Sequence, residues 1–205
     1  PPGVGKRHNV EAVLQKDGLF DTLGERKPKF EVVKGAMSSI GLYKKLYEFS
    51  DAKHVLVFDD CDDILQDELS LNILKGALDS YGKRVISWNA DMRDEDLPRS
   101  FNFEGKVIFI SNISQEKIDQ AIRSRSMLID LSMTDEQKID RMEYIVSSPE
   151  FMPEFEMNHK QDALGLIREL ASTAKEISLR TLIQVTKIRS CNDDWKEMAE
   201  SLLCE

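Results

Sequence analysis

The sequence predicts an α/β fold, a parallel β-sheet with flanking helices that gives way to a small helical lid. Three observations predict it. Val55-Leu56-Val57-Phe58 runs unbroken through apolar, partly β-branched residues into Asp59 and Asp60. Such a run, bounded by polar residues, reads as a strand buried on both faces, the kind found in parallel sheets. Pro1-Pro2-Gly3-Val4-Gly5-Lys6 is a glycine-rich turn set directly before a helical pattern, a junction suited to holding anions. From Thr134 onward the apolar spacing is helical only. The chain therefore divides into an α/β domain over 1–133 and a helical lid over 134–205.

In order, residues 7–15 form the first predicted helix, with Val10, Val13 and Leu14 on one face. Asp17-Gly18 and residues 24–28 mark loops. Residues 30–33 read as a short strand and 39–49 as a helix carrying Leu42, Tyr43, Leu46 and Tyr47 at helical spacing. Beyond the acidic strand end, residues 63–78 read as one helix, with Ile64, Leu65, Leu69, Leu71, Ile73 and Leu74 apolar. Residues 84–88 and 100–103 are two short strands around an acidic tip at 91–96. A buried strand at 106–112, a helix at 116–122 and a final strand at 127–131 complete the first domain. In the lid, Thr134 and Gln137 have the spacing of a capping box, opening a helix through Val146. A loop over 148–157 contains Pro149 and Pro153, and helices follow at 162–173, 178–189 and 194–203.

Two stretches carry chemistry. Carboxylates at the C-terminal end of a parallel strand sit at the rim where α/β sheets take ligands. Acids set side by side repel unless a cation offsets them, so Asp59 and Asp60 mark a candidate divalent-metal site. Asp is also a favoured helix N-cap, and on this stretch alone that reading stays open. Pro1 to Lys6 matches the tail of the phosphate-binding pattern G-x-x-x-x-G-K-[ST], whose leading glycine would precede Pro1. Glycines let backbone amides turn inward around phosphate oxygens, and Lys6 supplies a point charge.

With these residues in view, the chain resembles the AAA+ ATPases. Pro1-Pro2-Gly3-Val4-Gly5-Lys6 is similar to their Walker A, and Val55-Leu56-Val57-Phe58-Asp59-Asp60 to their Walker B. Lys106-Val107-Ile108-Phe109-Ile110-Ser111-Asn112 resembles the sensor 1 strand. Ile122-Arg123-Ser124-Arg125-Ser126 resembles the arginine-finger box of the clamp-loader branch, and Ile177-Ser178-Leu179-Arg180-Thr181-Leu182 resembles sensor 2. The segments occur in the family's order over nearly the whole chain, and small AAA ATPases encoded by bacteriophages are the nearest flavour.

The resemblance implies a P-loop NTPase-type sheet that binds ATP or ADP with Mg²⁺. Pro2, Gly3, Val4, Gly5, Lys6 and Arg7 would cradle the nucleotide, and Asp59 would hold Mg²⁺, usually through water. Asp60 stands where the family has Glu and would orient the attacking water from one methylene further back. Asn112 would hydrogen-bond that water or the γ-phosphate. Arg125 would be the arginine finger offered to a neighbouring subunit, with Arg123 the alternate, and Arg180 would reach the γ-phosphate from the lid. A homo-oligomeric ring is implied, acting on DNA or on DNA-replication or packaging proteins. Family analogy also places Tyr43 near a ring pore, against the alternative that it packs its helix on the sheet. The 84–103 segment resembles the hairpin insert of DNA-directed members. The family's first strand, in mid-sheet, would precede Pro1. Its absence would leave two inner edges unpaired, so the sequence is expected to be a fragment, or to start elsewhere than the native start.

One position departs from the pattern. The family's Ser or Thr hydroxyl binds Mg²⁺ directly, whereas this chain has Arg7, and a guanidinium cannot ligate a cation. Two functions follow as expectations, an ATP-hydrolysing ring or a nucleotide-holding switch or scaffold subunit that does not turn over. Composition fits either. At 205 residues, 41% hydrophobic and 32% charged, the chain is globular rather than disordered and can bury roughly 70% of its unfolded surface. No apolar run approaches the roughly 20 residues that span a bilayer, so no membrane association is expected. Cys61, Cys191 and Cys204 are scattered and read as reduced thiols, giving a cytoplasmic setting, the host's if the chain is phage-encoded. A net charge of −9 argues against broad non-specific nucleic-acid binding.

Overall fold

A computed structural model describes residues 5–21, 29–89, 91, 96–192 and 194–204. They form two compact units, one spanning Lys6–Ile129 and the other built from Asp130 onward together with Gly5. The first unit is mixed α/β. Its elements are α1 (Lys6–Lys16), β1 (Phe20–Asp21), β2 (Lys29–Lys34), α2 (Ser39–Glu48), β3 (Val55–Asp59), α3 (Glu68–Ala77), β4 (Val85–Ser87), β5 (Ser100–Asn102), β6 (Lys106–Ile110) and α4 (Gln120–Ser124). β1, β2, β3 and β6 lie side by side in that order, every pair parallel. The two-residue β1 escapes sequence reading because so short a strand has no alternation to detect.

The strand expected to be buried on both faces is an inner strand of the sheet. Val55, Leu56, Val57 and Phe58 are all buried, and both faces of β3 are covered. Leu56 and Phe58 pack with Leu42 and Leu46 of α2 and with Ile73 and Leu74 of α3. Val55 and Val57 pack on the opposite face with Leu14 of α1, Phe30 and Ile110. Phe58 stacks on Phe109 with ring centroids 5.3 Å apart. Register sets Asp59 level with Lys34 of β2 and Ile110 of β6, so the acidic end of β3 and the end of β6 open onto the same rim. On α1, Leu14 is buried but Val13 is 57% exposed, so the expected apolar face is narrower than the sequence suggested.

Tyr43 does not reach a surface. It is fully buried, tilted against Trp88 at 5.6 Å and edge-on to Phe101 at 5.1 Å, and its hydroxyl donates to the Pro98 carbonyl at 2.8 Å. The packing alternative is correct, because α2 needs a large aromatic where it meets the antiparallel β4–β5 pair. Residues 92–95 of the acidic tip, and the loop at 24–28, lie outside the described residues.

Other departures have local causes. The helix expected at 63–78 is broken into a 3-10 turn, Asp62–Leu65, and α3, because the Asp67 side chain caps α3 by accepting from the Ser70 amide at 2.8 Å. Likewise Asp119 accepts from Ala121 N–H at 2.8 Å and starts α4 at Gln120, leaving Gln115–Lys117 as a separate 3-10 turn. The strand expected at 127–131 does not form. Met127 is 90% and Ile129 73% exposed, and among the described residues no strand pairs with that run. An apolar run becomes a strand only where a ladder receives it.

Gly105 is required for close approach at the entry to β6. A Cβ there would lie 2.2 Å from the Phe49 carbonyl oxygen and 3.0 Å from the Phe103 ring. Gly105→Ala is expected to destabilise the fold by about 1–3 kcal/mol, read as a lower midpoint in urea unfolding; an unchanged midpoint would contradict the packing described.

The second unit is helical, with α5 (Asp135–Val146), α6 (Met157–Glu169), α7 (Leu179–Cys191) and α8 (Trp195–Cys204). Thr134 and Gln137 form the expected capping box. α6 begins at Met157 rather than 162, because Lys160, whose polar character hid the helix, is buried and donates to the Phe151 carbonyl at 2.7 Å. Met142, Ile167, Leu182, Val185, Trp195 and Leu203 form the core of this unit. Among the described residues, no helix is long and apolar enough to cross a membrane.

Candidate functional site

Lys6 is the first residue of α1, directly after Gly5, whose φ of +76° is a conformation glycine adopts freely. Its ammonium donates to the Ser111 carbonyl at 2.9 Å and to Asn112 Oδ1 at 2.8 Å, just past the end of β6. The amide of Asn112 then donates to Asp60 Oδ1 at 3.1 Å. Lys6, Asn112 and Asp60, widely spaced in sequence, thus share one hydrogen-bond chain at the ends of neighbouring parallel strands. The amide orientation of Asn112 is fixed by having an ammonium at its oxygen and a carboxylate at its nitrogen.

Asp60 holds a left-handed backbone, φ +55°, while its N–H donates to the Ile110 carbonyl at 3.0 Å. Asp tolerates that region better than most residues, and residues held there cluster at functional sites. The strand expected over 106–112 ends at Ile110. Ser111 and Asn112 leave the ladder for side-chain contacts. Ser111 Oγ donates to Asp62 Oδ1 at 2.6 Å and accepts from the Ile113 amide at 3.0 Å.

Burial, and secondly the negative charge of Asp60, push the Asp59 carboxyl above the usual range; Arg7 and Lys6 partly oppose this. Arg7 pairs with Glu11, one turn along α1, at 2.5 Å. Because the folded chain holds the Asp59 proton more tightly than the unfolded one, the contribution of Asp59 to stability is fully present below the ordinary carboxylate range and is lost as pH rises through the raised pKa. Asp59→Asn is therefore expected to raise the melting temperature at pH 7 and to lose that gain on acidification below the ordinary carboxylate range. A pH series of thermal melts on both proteins checks this.

A cation would relieve the same strain. Among the described residues no group of three or more His, Cys, Asp or Glu gathers as a metal site. Mg²⁺ is commonly held by one or two carboxylates with water and substrate phosphates, so Asp59 suits it in company with a triphosphate, while Arg7 supplies no ligand.

Of the remaining residues singled out by sequence, Pro2, Gly3 and Val4 lie outside the described residues. Arg125 is the exposed C-cap of α4, and its guanidinium donates to the Ala121 carbonyl at 3.0 Å. Arg123 is half-buried, with an enclosed Nε that has no hydrogen-bond partner among the described residues. Arg180 is exposed in the first turn of α7, in the second unit. Sequence reading missed Asp62, Ser111 and Glu11. The Arg7–Glu11 spacing was a readable signal; the Asp62–Ser111 pair depends on the 3-10 turn and had none.

No protein-family model matches the chain. A protein of Enterobacteria phage T4, described as an uncharacterized 36.7 kDa protein in the nrdC-mobD intergenic region, is 27% identical over 214 aligned residues. This relative is a phage protein. The alignment takes in 96% of this chain and 64% of the T4 protein, so the chain spans under two thirds of that relative's length.

Proposed function

We propose that the chain is an AAA+-type P-loop protein that binds ATP around Lys6 and hydrolyses it, in a ring of identical subunits acting on DNA or a DNA-bound protein complex. The observation that carries this reading is the Lys6–Asn112–Asp60 chain at the rim of the parallel sheet. A cation, a neutral amide and a carboxylate meet there, the chemistry a triphosphate and an attacking water require. Lys6 would bind the β- and γ-phosphates. Asn112 would orient the water, and Asp60 would accept its proton in a reaction that Mg²⁺, when bound, assists by neutralising phosphate charge. Arg125, exposed on α4, would be offered to the next subunit. The T4 relative supports a phage setting, and with it the host cytoplasm.

Arg7 favours a second reading, a nucleotide-holding switch that does not turn over. Arg7 takes the sequence position at which the family's hydroxyl would ligate Mg²⁺, and its charge is felt at Asp59. Phosphate release from Mg²⁺-ATP by the wild type and Arg7→Ser separates the two. Wild-type turnover supports the enzyme. Tight ATP binding without turnover, rescued by Arg7→Ser, supports the switch, and failure of both proteins to bind ATP overturns both readings. Filter binding of single- and double-stranded DNA across a salt series tests the macromolecular target, because phosphate contacts weaken steeply with salt.

A further inference from the structure

We infer that Asp62 is a positioning residue for the proposed ATPase reaction, holding the Ser111–Asn112 turn at the height where Asn112 can serve both Lys6 and Asp60. The inference rests on the site taking a nucleoside triphosphate. Asp62 lies two residues beyond Asp60, in the 3-10 turn of Asp62–Leu65 rather than in a long helix. That turn brings its carboxylate to 2.6 Å from Ser111 Oγ, the short separation of a hydroxyl donating to a charged acceptor. The same oxygen accepts from the Ile113 amide at 3.0 Å.

Ser111 is therefore pinned through its hydroxyl on one side and through its carbonyl, by Lys6, on the other. Asn112 follows directly. Its side chain is placed by a backbone that has left the β6 ladder and has no strand pairing of its own to fix it. Two carboxylates of one acidic run thus divide the work. Asp60 faces Asn112 itself, and Asp62 fixes the residue before it. Without Asp62, Ser111 Oγ loses its charged partner, the turn can shift, and Asn112 no longer presents its amide at a fixed height. Displacements of about 1 Å at such a site can cost up to about 100-fold in rate.

The test compares steady-state ATP turnover, and binding of a fluorescent ATP analogue, in the full chain and in Asp62→Ala, Asp62→Asn, Ser111→Ala and the Asp62→Ala/Ser111→Ala double variant. Asp62→Ala and Ser111→Ala are each expected to lower kcat about 10-fold or more with KM changed less than 3-fold. The double variant should be no worse than either single one, because both remove the same contact. Asp62→Asn, which keeps an acceptor oxygen, should retain most of the rate. Wild-type turnover with unaltered kcat in Asp62→Ala would overturn the positioning role and leave the ATPase reading standing. Additive losses, or equal losses in Asp62→Ala and Asp62→Asn tracking only a lower melting temperature, would show a purely structural contact and overturn it as well. A wild type that neither binds nor hydrolyses ATP removes the nucleotide reading and this inference with it.

Discussion

Asp60→Asn is expected to reduce ATP turnover by about 10²–10⁴-fold, the range for removing a positioned general base, while nucleotide affinity changes only a few-fold. The substitution keeps the shape of the side chain and an oxygen that can still accept from Asn112 at the position now 3.1 Å away. What it removes is the negative charge and the capacity to take a proton. The backbone should hold, because the Asp60 N–H bond to Ile110 is independent of the side chain and Asn visits left-handed φ as readily as Asp. Single-turnover phosphate release checks the rate, and analogue binding checks that the site is intact. Equal turnover in the two proteins would remove Asp60 from the chemistry.

Arg125→Ala is expected to lower turnover by about 10³-fold or more, the scale on which an arginine finger stabilises transition-state charge, without weakening ATP binding within the subunit. Its guanidinium donates to the Ala121 carbonyl one turn back on α4 yet stays exposed, and Lys6, Asn112 and Asp60 join without it. Mixing supplies the decisive measurement. Subunits with Arg125→Ala keep Asp60, and subunits with Asp60→Asn keep Arg125. A mixture of the two inactive proteins should regain activity at interfaces that combine an intact Asp60 with an intact Arg125. No recovery in a mixture shown to co-assemble would contradict a finger acting between subunits.

Much of the α/β unit was legible because its determinants are local. The apolar run from Val55 to Phe58 could be satisfied only by burial on both faces, and the Thr134–Gln137 spacing carries its own capping geometry. Lys6, Asp59 and Asp60 could be singled out because a lysine after a glycine turn suits an anion and paired acids at a strand end suit a cation, although acids there also cap helices. What stayed hidden depends on partners distant in sequence. Tyr43 has the same helical spacing whether it faces solvent or Trp88 and Phe101. Residues 127–131 have strand character, but a ladder is a property of two segments. Asp62 was passed over, just ahead of the helix expected at 63–78, because nothing in the sequence announces that Asp67 takes the cap, which frees the preceding turn to carry a carboxylate to Ser111.

Lys6 is engaged with the Ser111 carbonyl and Asn112, and Asn112 with Asp60. Phosphate binding at this position would be an exchange of partners rather than the filling of a vacancy. Measured affinity would then be a difference between two sets of polar contacts, modest even where each new contact is strong. Of the Asn112 side chain, the same exchange would free only the oxygen, which could then accept from the attacking water, while the bond from the Asn112 amide to Asp60 stays in place.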